Sequence, residues 1–369
     1  MVMTMFSILM HANLQYAEIP KSEVNKVIEK SYEPTIKALL NAEIPFGFNI
    51  PGFSLEMLPK NTIKIIEEGI SSDLIEITGC AYTHAILPLL SLNRVEKQIE
   101  KDKKVKEGIF NIAPKTFWPP ELAYDPILPA ILKEHGYENI FVDGESLKFS
   151  EIPNFYLKRP RTLYPHLLRA QEGRKPIYLN YLIGLRELKN AIKEIIKGKA
   201  ILEGVKEIDA IPVWIPLNVL IWLYSGSFPL MSKKKALKML ESLDNVLLYG
   251  SDIEFFGYRP IAGKILDINK FIDLIRELNK EVVLPRDLPS SHIKKYLKTS
   301  SWAPDKSLLI WALDPDNLRL NMLSYFMDEE FAFLAENSDA RGWEPLAERR
   351  LDAFKAIYEW WMRYGKSKT

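Results

Sequence analysis

The sequence predicts an α/β protein in which seven parallel strands close, or nearly close, into a barrel, followed by a helical C-terminal region. Three observations predict it. Short apolar runs alternate with stretches of helical periodicity through residues 1–288, and parallel strands require such crossover connections. Most of these runs end in polar or aromatic residues, as do the C-terminal strand ends that carry the active site of a barrel. No Gly-rich phosphate fingerprint follows the first run, which argues against an open doubly wound sheet.

Residues 4–10 form a continuous apolar run, the pattern of a strand buried on both faces, and end at His11-Ala12-Asn13-Leu14-Gln15-Tyr16. Helical spacing follows over 24–40. The second strand, 45–50, leads towards Phe53, and a helix covers 58–70. The third strand, 74–78, closes at Gly79 ahead of Thr83-His84. A highly charged helix over 92–107 sets Glu96, Glu100 and Lys104 four apart on one side. Phe117-Trp118 belongs to the fourth strand, which Pro119-Pro120 must stop, because proline fixes φ and cannot donate to a ladder. Glu121 is thus held stiffly just past a strand end.

A helix over 127–135 ends at Gly136, and the fifth strand, 139–142, runs into Asp143-Gly144-Glu145. Residues 149–182, rich in Pro, Tyr and Arg, read as an excursion with a hairpin at 177–183, and 185–197 as a helix. The sixth strand, 209–214, leads into Pro216 with residues 221–224 behind it, and a helix spans 232–243. The seventh, 246–249, runs into Gly250-Ser251-Asp252-Ile253-Glu254. A helix over 268–278 and a short apolar run at 282–284 end the alternation. Beyond about Ser290 it stops, and 318–333 and 345–363 read as amphipathic helices. The domains expected are therefore a catalytic barrel over 1–288 and a helical region over 289–369 that contributes to the mouth of the active site.

With 49 basic and 48 acidic residues among 369 the net charge is +1, so no global field draws a polyanion and nucleic acid is not an expected partner. Cys80 is the single cysteine, which excludes a disulfide framework and a cysteine metal cluster. The apolar opening lacks a basic flank and is too short to span a bilayer. It reads as the first buried strand of a cytoplasmic enzyme with no membrane partner. Three Gln, one Cys and abundant Lys, Glu and Ile resemble a thermophile's composition.

The residues just beyond the strands are His11 and Asn13, His84, Glu121, Asp143 with Glu145, Trp214, and Asp252 with Glu254. Two carboxylates, two histidines and several indoles converging on one neutral pocket suit cleavage of a glycosidic bond. One carboxylate attacks or activates water, and a second with raised pKa protonates the leaving oxygen. Structural readings stand beside these. Glu121 could be incidental to a Pro-Pro turn, His11 could cap backbone groups, and His84 could be a core histidine. Asp143-Gly144 is also a turn dipeptide, and Asp252 could be an N-cap or, like Glu254, a partner of Arg259. Metal is the main rival chemistry. His11, His84 and Asp252 could assemble a hydrolytic centre, but no His-x3-His or His-Glu-x-x-His spacing occurs, and no Gly-x-Ser-x-Gly elbow marks a nucleophilic serine. The expectation is no metal and no cofactor.

Taken together, these motifs resemble glycoside hydrolase family 57 across nearly the whole chain. His11-Ala12-Asn13-Leu14-Gln15 resembles the first family motif, usually His-x-His followed by a proline, with Asn13 and Gln15 as departures. Ile75-Glu76-Ile77-Thr78-Gly79 with His84 and Pro88-Leu89-Leu90 resembles the second. Trp118-Pro119-Pro120-Glu121 resembles the third, which carries the nucleophile. Ser251-Asp252-Ile253-Glu254-Phe255-Phe256-Gly257 resembles the fourth, which carries the general acid/base. Ala335-Glu336-Asn337-Ser338-Asp339-Ala340-Arg341-Gly342-Trp343 resembles the fifth.

The resemblance implies an incomplete (β/α)7 barrel with a C-terminal helical region and a retaining mechanism. Glu121 would be the nucleophile and Asp252 the acid/base. His11, Glu76, His84, Trp118, Asp143, Trp214, Glu254, Asp339 and Trp343 would bind substrate, with Trp118, Trp214 and Trp343 stacking on sugar faces. The expected partner is an oligosaccharide or another α-glycoside, and self-association is left open. Among the family's activities, the altered first motif and the ending around Asn337–Trp343, on a short chain with no large β-sandwich after the barrel, look most like the compact archaeal α-galactosidases. An α-glucan-acting member, 4-α-glucanotransferase or α-amylase, is the alternative. A metal-dependent barrel deacetylase and a non-catalytic sugar-binding protein are rivals from other classes; intact Glu121 and Asp252 argue against the latter.

Overall fold

Burial of both faces explains the opening apolar run: Met5–His11 forms strand β1, and every residue from Phe6 onward is buried. The computed structural model describes residues 5–149, 198–226, 230–243, 247–261, 263–303, 306–342 and 345–365. Strands β2 (Phe46–Asn49), β3 (Ile75–Thr78), β4 (Thr116–Phe117) and β5 (Asn139–Asp143) follow. Then come β6 (Lys199–Glu203), β7 (Ile208–Val213), β8 (Leu247–Asp252), β9 (Glu281–Val283) and β10 (Ser290–Tyr296).

The strands form an α/β fold of the incomplete-barrel type. β1 is central to one sheet, parallel to β2 and β8, with β9 on its first residues and β3 beyond β2. A second sheet carries β4, β5 and β7 in parallel. The two sheets join where Gly79 bridges Phe117: the Gly79 N–H donates to the Thr116 carbonyl at 2.8 Å, and the Trp118 N–H to the Gly79 carbonyl at 2.8 Å. The circuit therefore runs β8-β1-β2-β3-β4-β5-β7. Between β7 and β8 no ladder exists among the described residues; side-chain packing fills the gap, with a Cβ added at Gly250 lying 3.2 Å from a Val213 methyl.

Two strands lie outside the expected alternation. β6 runs antiparallel to β7, and β10 adds to β6 in parallel, so the sheet continues past residue 288. β10 reads Ser-Ser-His-Ile-Lys-Lys-Tyr and is largely exposed, hence it carries no apolar signal. The excursion, hairpin and helix expected over 149–197 lie outside the described residues, apart from Phe149, which ends a helix Gly144–Phe149. The helix expected over 24–40 is interrupted by a π-helical segment, Ile28–Tyr32, a feature common near functional sites. Against it docks the turn after β8: Ser31 Oγ donates to the Ile253 carbonyl at 2.8 Å. Gly257, at φ +87°, passes so close that an added Cβ would lie 2.1 Å from the Lys30 carbonyl oxygen.

Leu92–Phe110 is the long charged helix. Beside Val95, Ile99 and Phe110 it buries an ion pair, Asp102 with Lys106 one turn on (2.7 Å), both fully inaccessible. Asp102 accepts the N–H groups of Gly52 (2.7 Å) and Cys80 (2.9 Å), and Lys106 donates to the Thr78 carbonyl at 2.8 Å. The pair thus ties down the C-terminal ends of β2 and β3.

The C-terminal region packs helices Pro315–Ser324, Glu329–Glu336 and Ala347–Tyr364 around Leu320, Met327, Phe331, Ala353 and Ile357. The single helix expected over 318–333 is two, broken at 325–328. No helix among the described residues is long and apolar enough to cross a membrane. Breaking one half of a buried ion pair leaves an uncompensated charge. Lys106→Met is therefore expected to cost about 3–5 kcal/mol of unfolding free energy in a urea titration, and a loss under about 1 kcal/mol would show the pair to be dispensable.

Candidate active site

In-register pairing lays a row of polar residues across the C-terminal edge of four neighbouring strands. His11 lies opposite Asp252 on β8 and Asn49 on β2, and Asn49 lies opposite Thr78 on β3. The Gly79–Phe117 bridge continues the row to Trp118 and Glu121. Parallel strands point these ends the same way, so groups far apart in sequence meet at one mouth.

Glu121 sits in a tight turn, Pro120–Leu122, at φ +58° and ψ 20°. A non-glycine residue in this left-handed region stores about 1–3 kcal/mol of strain. Its surroundings hold it there: the Leu122 N–H donates to the Pro119 carbonyl (2.8 Å) and the Trp302 N–H to the carbonyl of Glu121 (3.2 Å). The indole N–H of Trp302 also donates to Glu121 Oε2. Burial pushes the Glu121 carboxyl up to about 7. The positive charge of His84 and the Trp302 hydrogen bond pull it down, while the charges of Asp339 and Asp252 push it up.

His84 is a second left-handed residue, at φ +56°. Its Nδ1 lies 2.7 Å from Ser338 Oγ and 3.6 Å from Asp339 Oδ2; Nε2 is buried without a hydrogen-bond partner among the described residues. Burial alone would lower its pKa, but the hydrogen bond and charge of Asp339, with Glu121 and Asp252 adding to them, raise it overall. His11 is its opposite. The ring stacks 5.0 Å from His84 and 5.4 Å from Trp118, and Nδ1 lies 2.8 Å from Asn49 Oδ1. Asn49 donates its amide to Thr78 Oγ1 (2.8 Å) and the Gly79 carbonyl (3.2 Å), so the oxygen facing His11 is an acceptor and Nδ1 carries the proton. Burial first, then the charge of His84, holds His11 down at about 3. Neutral and charged imidazoles therefore stack.

Asp252 ends β8 and accepts from Arg259 Nη1 at 3.2 Å. Arg259 also grips Glu18 through Nε (2.9 Å) and Nη2 (2.8 Å) and lies 4.1 Å from the Tyr16 ring centroid. Burial raises Asp252 above the ordinary carboxylate range against the pull of Arg259 and His84. Glu254 sits behind it, accepting from the Asn13 N–H (3.0 Å) and from the Tyr32 hydroxyl. Burial, then the charge of Asp252, pushes Glu254 up to about 7. Glu254 is placed to brace the first loop. Asp339 is likewise a brace: its carboxylate accepts from Asn13 Nδ2 (2.6 Å) and the Ala17 N–H (3.0 Å) as well as facing His84.

The departures in the first motif prove to be cross-links. Asn13 joins Asp339 and accepts from Ser54 Oγ at 3.1 Å, while Gln15 Oε1 accepts from Arg349 Nη1 at 2.8 Å. Next to this point a cleft of about 730 Å³ with a mixed polar and apolar wall, including Gln15, Asn337, Arg349, Phe53 and Leu334, runs beside the helix Ala347–Tyr364.

Four expectations are met differently. Glu76 is two residues short of the polar row. Its carboxylate is taken up by Thr116 Oγ1 (2.5 Å) and the Arg286 N–H (2.8 Å), so it staples strands and does not reach the mouth. Asp143 is engaged by Lys306 (3.0 Å) and the Ser146 N–H (2.7 Å). Trp214 is 3% exposed and packs flat on Gly144, where a Cβ would lie 2.7 Å from the ring. Trp118, 7% exposed, is sandwiched between His11 and Phe141. Both indoles fill the barrel top and present no open face to a sugar. Trp343 lies outside the described residues. Sequence reasoning missed Trp302, Ser338 as the contact of His84, and Asn49 as the group that sets the His11 tautomer. Ser338 lies inside the fifth motif and Asn49 ends the second strand; Trp302 follows an exposed polar strand and has no spacing signal. Among the described residues no three His, Cys, Asp or Glu side chains are grouped so as to hold a metal ion.

The family model for glycosyl hydrolase family 57 matches residues 7–299. A Methanocaldococcus jannaschii protein named "Putative alpha-amylase" is 25% identical over 152 residues, 39% of this chain and 32% of that protein. The chain thus spans about a third of that curated relative. Among solved structures, the 4-alpha-glucanotransferase of Thermococcus litoralis superposes with a TM-score of 0.71 at 15% identity, covering 98% of this chain and 60% of that one. The alpha-amylase AmyC of Thermotoga maritima superposes at 0.66 with 14% identity, covering 100% and 94%. At these identities the superpositions establish the fold.

The two stacked imidazoles are expected to part company in a histidine NMR titration. His84 should keep its proton above the ordinary imidazole value of 6.5, whereas His11 should stay neutral down to a pH near 3. A His11 that titrates near 6.5 would contradict the network.

Proposed function

The chain belongs to glycosyl hydrolase family 57, and on that premise we propose that it cleaves α-glycosidic bonds by double displacement, with Glu121 as nucleophile and Asp252 as general acid/base. The observation that supports the reading is the shared row of strand ends: Asp252 pairs opposite His11, whose ring stacks on His84 and on Trp118, three residues before Glu121. The charge of His84 acts on both carboxylates. Glu121 attacks the anomeric carbon while the Asp252 proton passes to the departing oxygen. Asp252 then takes a proton from water, or from an acceptor hydroxyl, as the glycosyl ester breaks.

The environments suit these roles. A nucleophile must be ionised, and His84 with the Trp302 N–H favours the anion on Glu121. An acid must hold its proton, and burial favours that on Asp252. Arg259 would oppose it, but that cation lies closer to Glu18 (2.8 Å) than to Asp252 (3.2 Å), which dilutes its pull. The unpartnered Nε2 of His84 is the donor available to a substrate oxygen.

For the substrate we place α-glucans ahead of the α-galactosides that the altered first motif suggests. The curated relative is named for amylase chemistry. Incubation with α-galactosides, α-glucosides and maltooligosaccharides, with products separated by size, tests this. Maltooligosaccharide products are expected, longer ones signifying transfer, and none with Glu121→Gln of unchanged fold. Galactose release alone would reverse the substrate reading. Activity in Glu121→Gln, or activity lost to chelator, would sink the mechanism.

Protonating the nucleophile must stop the reaction, so kcat/KM should fall as pH drops through about 7. The imidazolium of His84 holds the Glu121 carboxyl down; His84→Gln removes it and should move this acid limb to higher pH. A limb that moves to lower pH would contradict the charge assigned to His84.

A further inference from the structure

The reading of Glu121 as nucleophile leaves unused a fully buried cation near the site, Lys306. Lys306 is 0% exposed, and its Nζ lies 3.0 Å from Asp143 Oδ2 and 2.8 Å from Glu145 Oε2. It adopts φ +58°, a left-handed conformation that a lysine takes only under constraint. Two carboxylates at the end of β5 therefore hold one ammonium group inside the protein. Such an arrangement is costly to desolvate and is strongly destabilising to break on one side.

The backbone around Lys306 shows what the clamp holds. The Lys306 N–H donates to the Ala303 carbonyl (2.8 Å), and the Ser301 N–H donates to the Lys306 carbonyl (3.3 Å). Ser146 Oγ, two residues beyond Gly144, donates to the Ser301 carbonyl at 3.3 Å. On the other side Ser300 exchanges backbone hydrogen bonds with Tyr124 (2.9 and 3.0 Å). Between these anchors sits Trp302, whose two N–H groups both reach Glu121. We infer that Lys306 is a positioning residue that acts through Trp302 on Glu121, by fastening the loop that carries the indole to Asp143 and Glu145 at the end of β5. The inference rests on the nucleophile reading and deepens it. Asp143 and Glu145 then serve as the seat of the clamp and not as sugar ligands.

The consequence for Glu121 has a definite sign. The charged groups that face it are His84 from the turn after β3, Asp252 from β8 and Asp339 from the C-terminal turn. Trp302 adds an uncharged donor to Oε2, which favours the ionised carboxylate. Loosening the indole removes that donor, so a smaller fraction of Glu121 is ionised at a given pH.

The test is a cycle of Trp302→Phe, Lys306→Met and the double variant, read by the pH profile of kcat/KM and by kcat against KM. Trp302→Phe should move the acid limb to higher pH and lower kcat about ten- to a hundredfold, the worth of one hydrogen bond to a charged group. Lys306→Met should reproduce the limb shift and the fall in kcat with KM little changed, and the double variant should be no worse than Trp302→Phe alone. Should Lys306→Met fail to fold, Glu145→Gln, which leaves Lys306 one carboxylate, is read in its place and should move the limb the same way. A wild-type limb in Lys306→Met (or in Glu145→Gln), or shifts that add in the double variant, would overturn the clamp while leaving the nucleophile in place. A Trp302→Phe protein with unchanged limb and kcat would instead undermine the role given to Glu121.

Discussion

A single buried positive charge, on His84, is the interaction on which the site depends. Three carboxylates face it, Glu121, Asp252 and Asp339, and each would be costly to bury as an anion alone. The imidazole meets Ser338 and Asp339, which arrive from more than 250 residues further along the chain. Its left-handed backbone is a local cost that only this tertiary arrangement repays. His11 is held neutral by burial and by the charge of His84, against the pull of Asn49, whose oxygen fixes the proton on Nδ1.

The same arithmetic explains why the C-terminal region is inseparable from the barrel mouth. Asp339 accepts from Asn13, Arg349 from the long helix grips Gln15 and the Leu14 and Ile19 carbonyls, and Arg94 pairs with Glu336. Most of these partners are buried, so the contacts replace hydrogen bonds to water that neither side could keep. Asn13 suits this work better than an imidazole: one side chain donates to Asp339 while its oxygen accepts from Gln15 N–H and Ser54 Oγ.

What the sequence discloses and what it hides divide along physical lines. The seven barrel strands are legible because burial on both faces demands continuous apolar residues, and Glu121, His84, His11 and Asp252 stand out as candidates because they are polar groups where those runs stop. Asp339 is legible through its motif. β10 is not, because an exposed strand needs no apolar pattern. Trp302 and Lys306 are not, and although Glu145 stands out at a strand end its partner does not, because a buried ion pair between residues 145 and 306 leaves no periodic trace. The indoles mislead for a related reason. An aromatic at a strand end can meet a sugar or plug the barrel, and only neighbours such as Gly144 and Phe141, which cover Trp214 and Trp118, decide which.

Burial raises both of the proposed catalytic carboxylates, and the charge of Asp252 raises Glu121 further. The coupling itself can drive the cycle. Two like charges at one mouth repel, so ionisation of Glu121 disfavours ionisation of Asp252. In the proposed cycle, attack on the sugar turns Glu121 into a neutral ester and removes that repulsion. Arg259 and His84, which do not change partners, then pull Asp252 towards its ionised form. It becomes a base at the moment a base is needed. In the proposed cycle that pull comes from two fixed cations, the imidazolium of His84 and the Arg259 guanidinium that Glu18 holds in place.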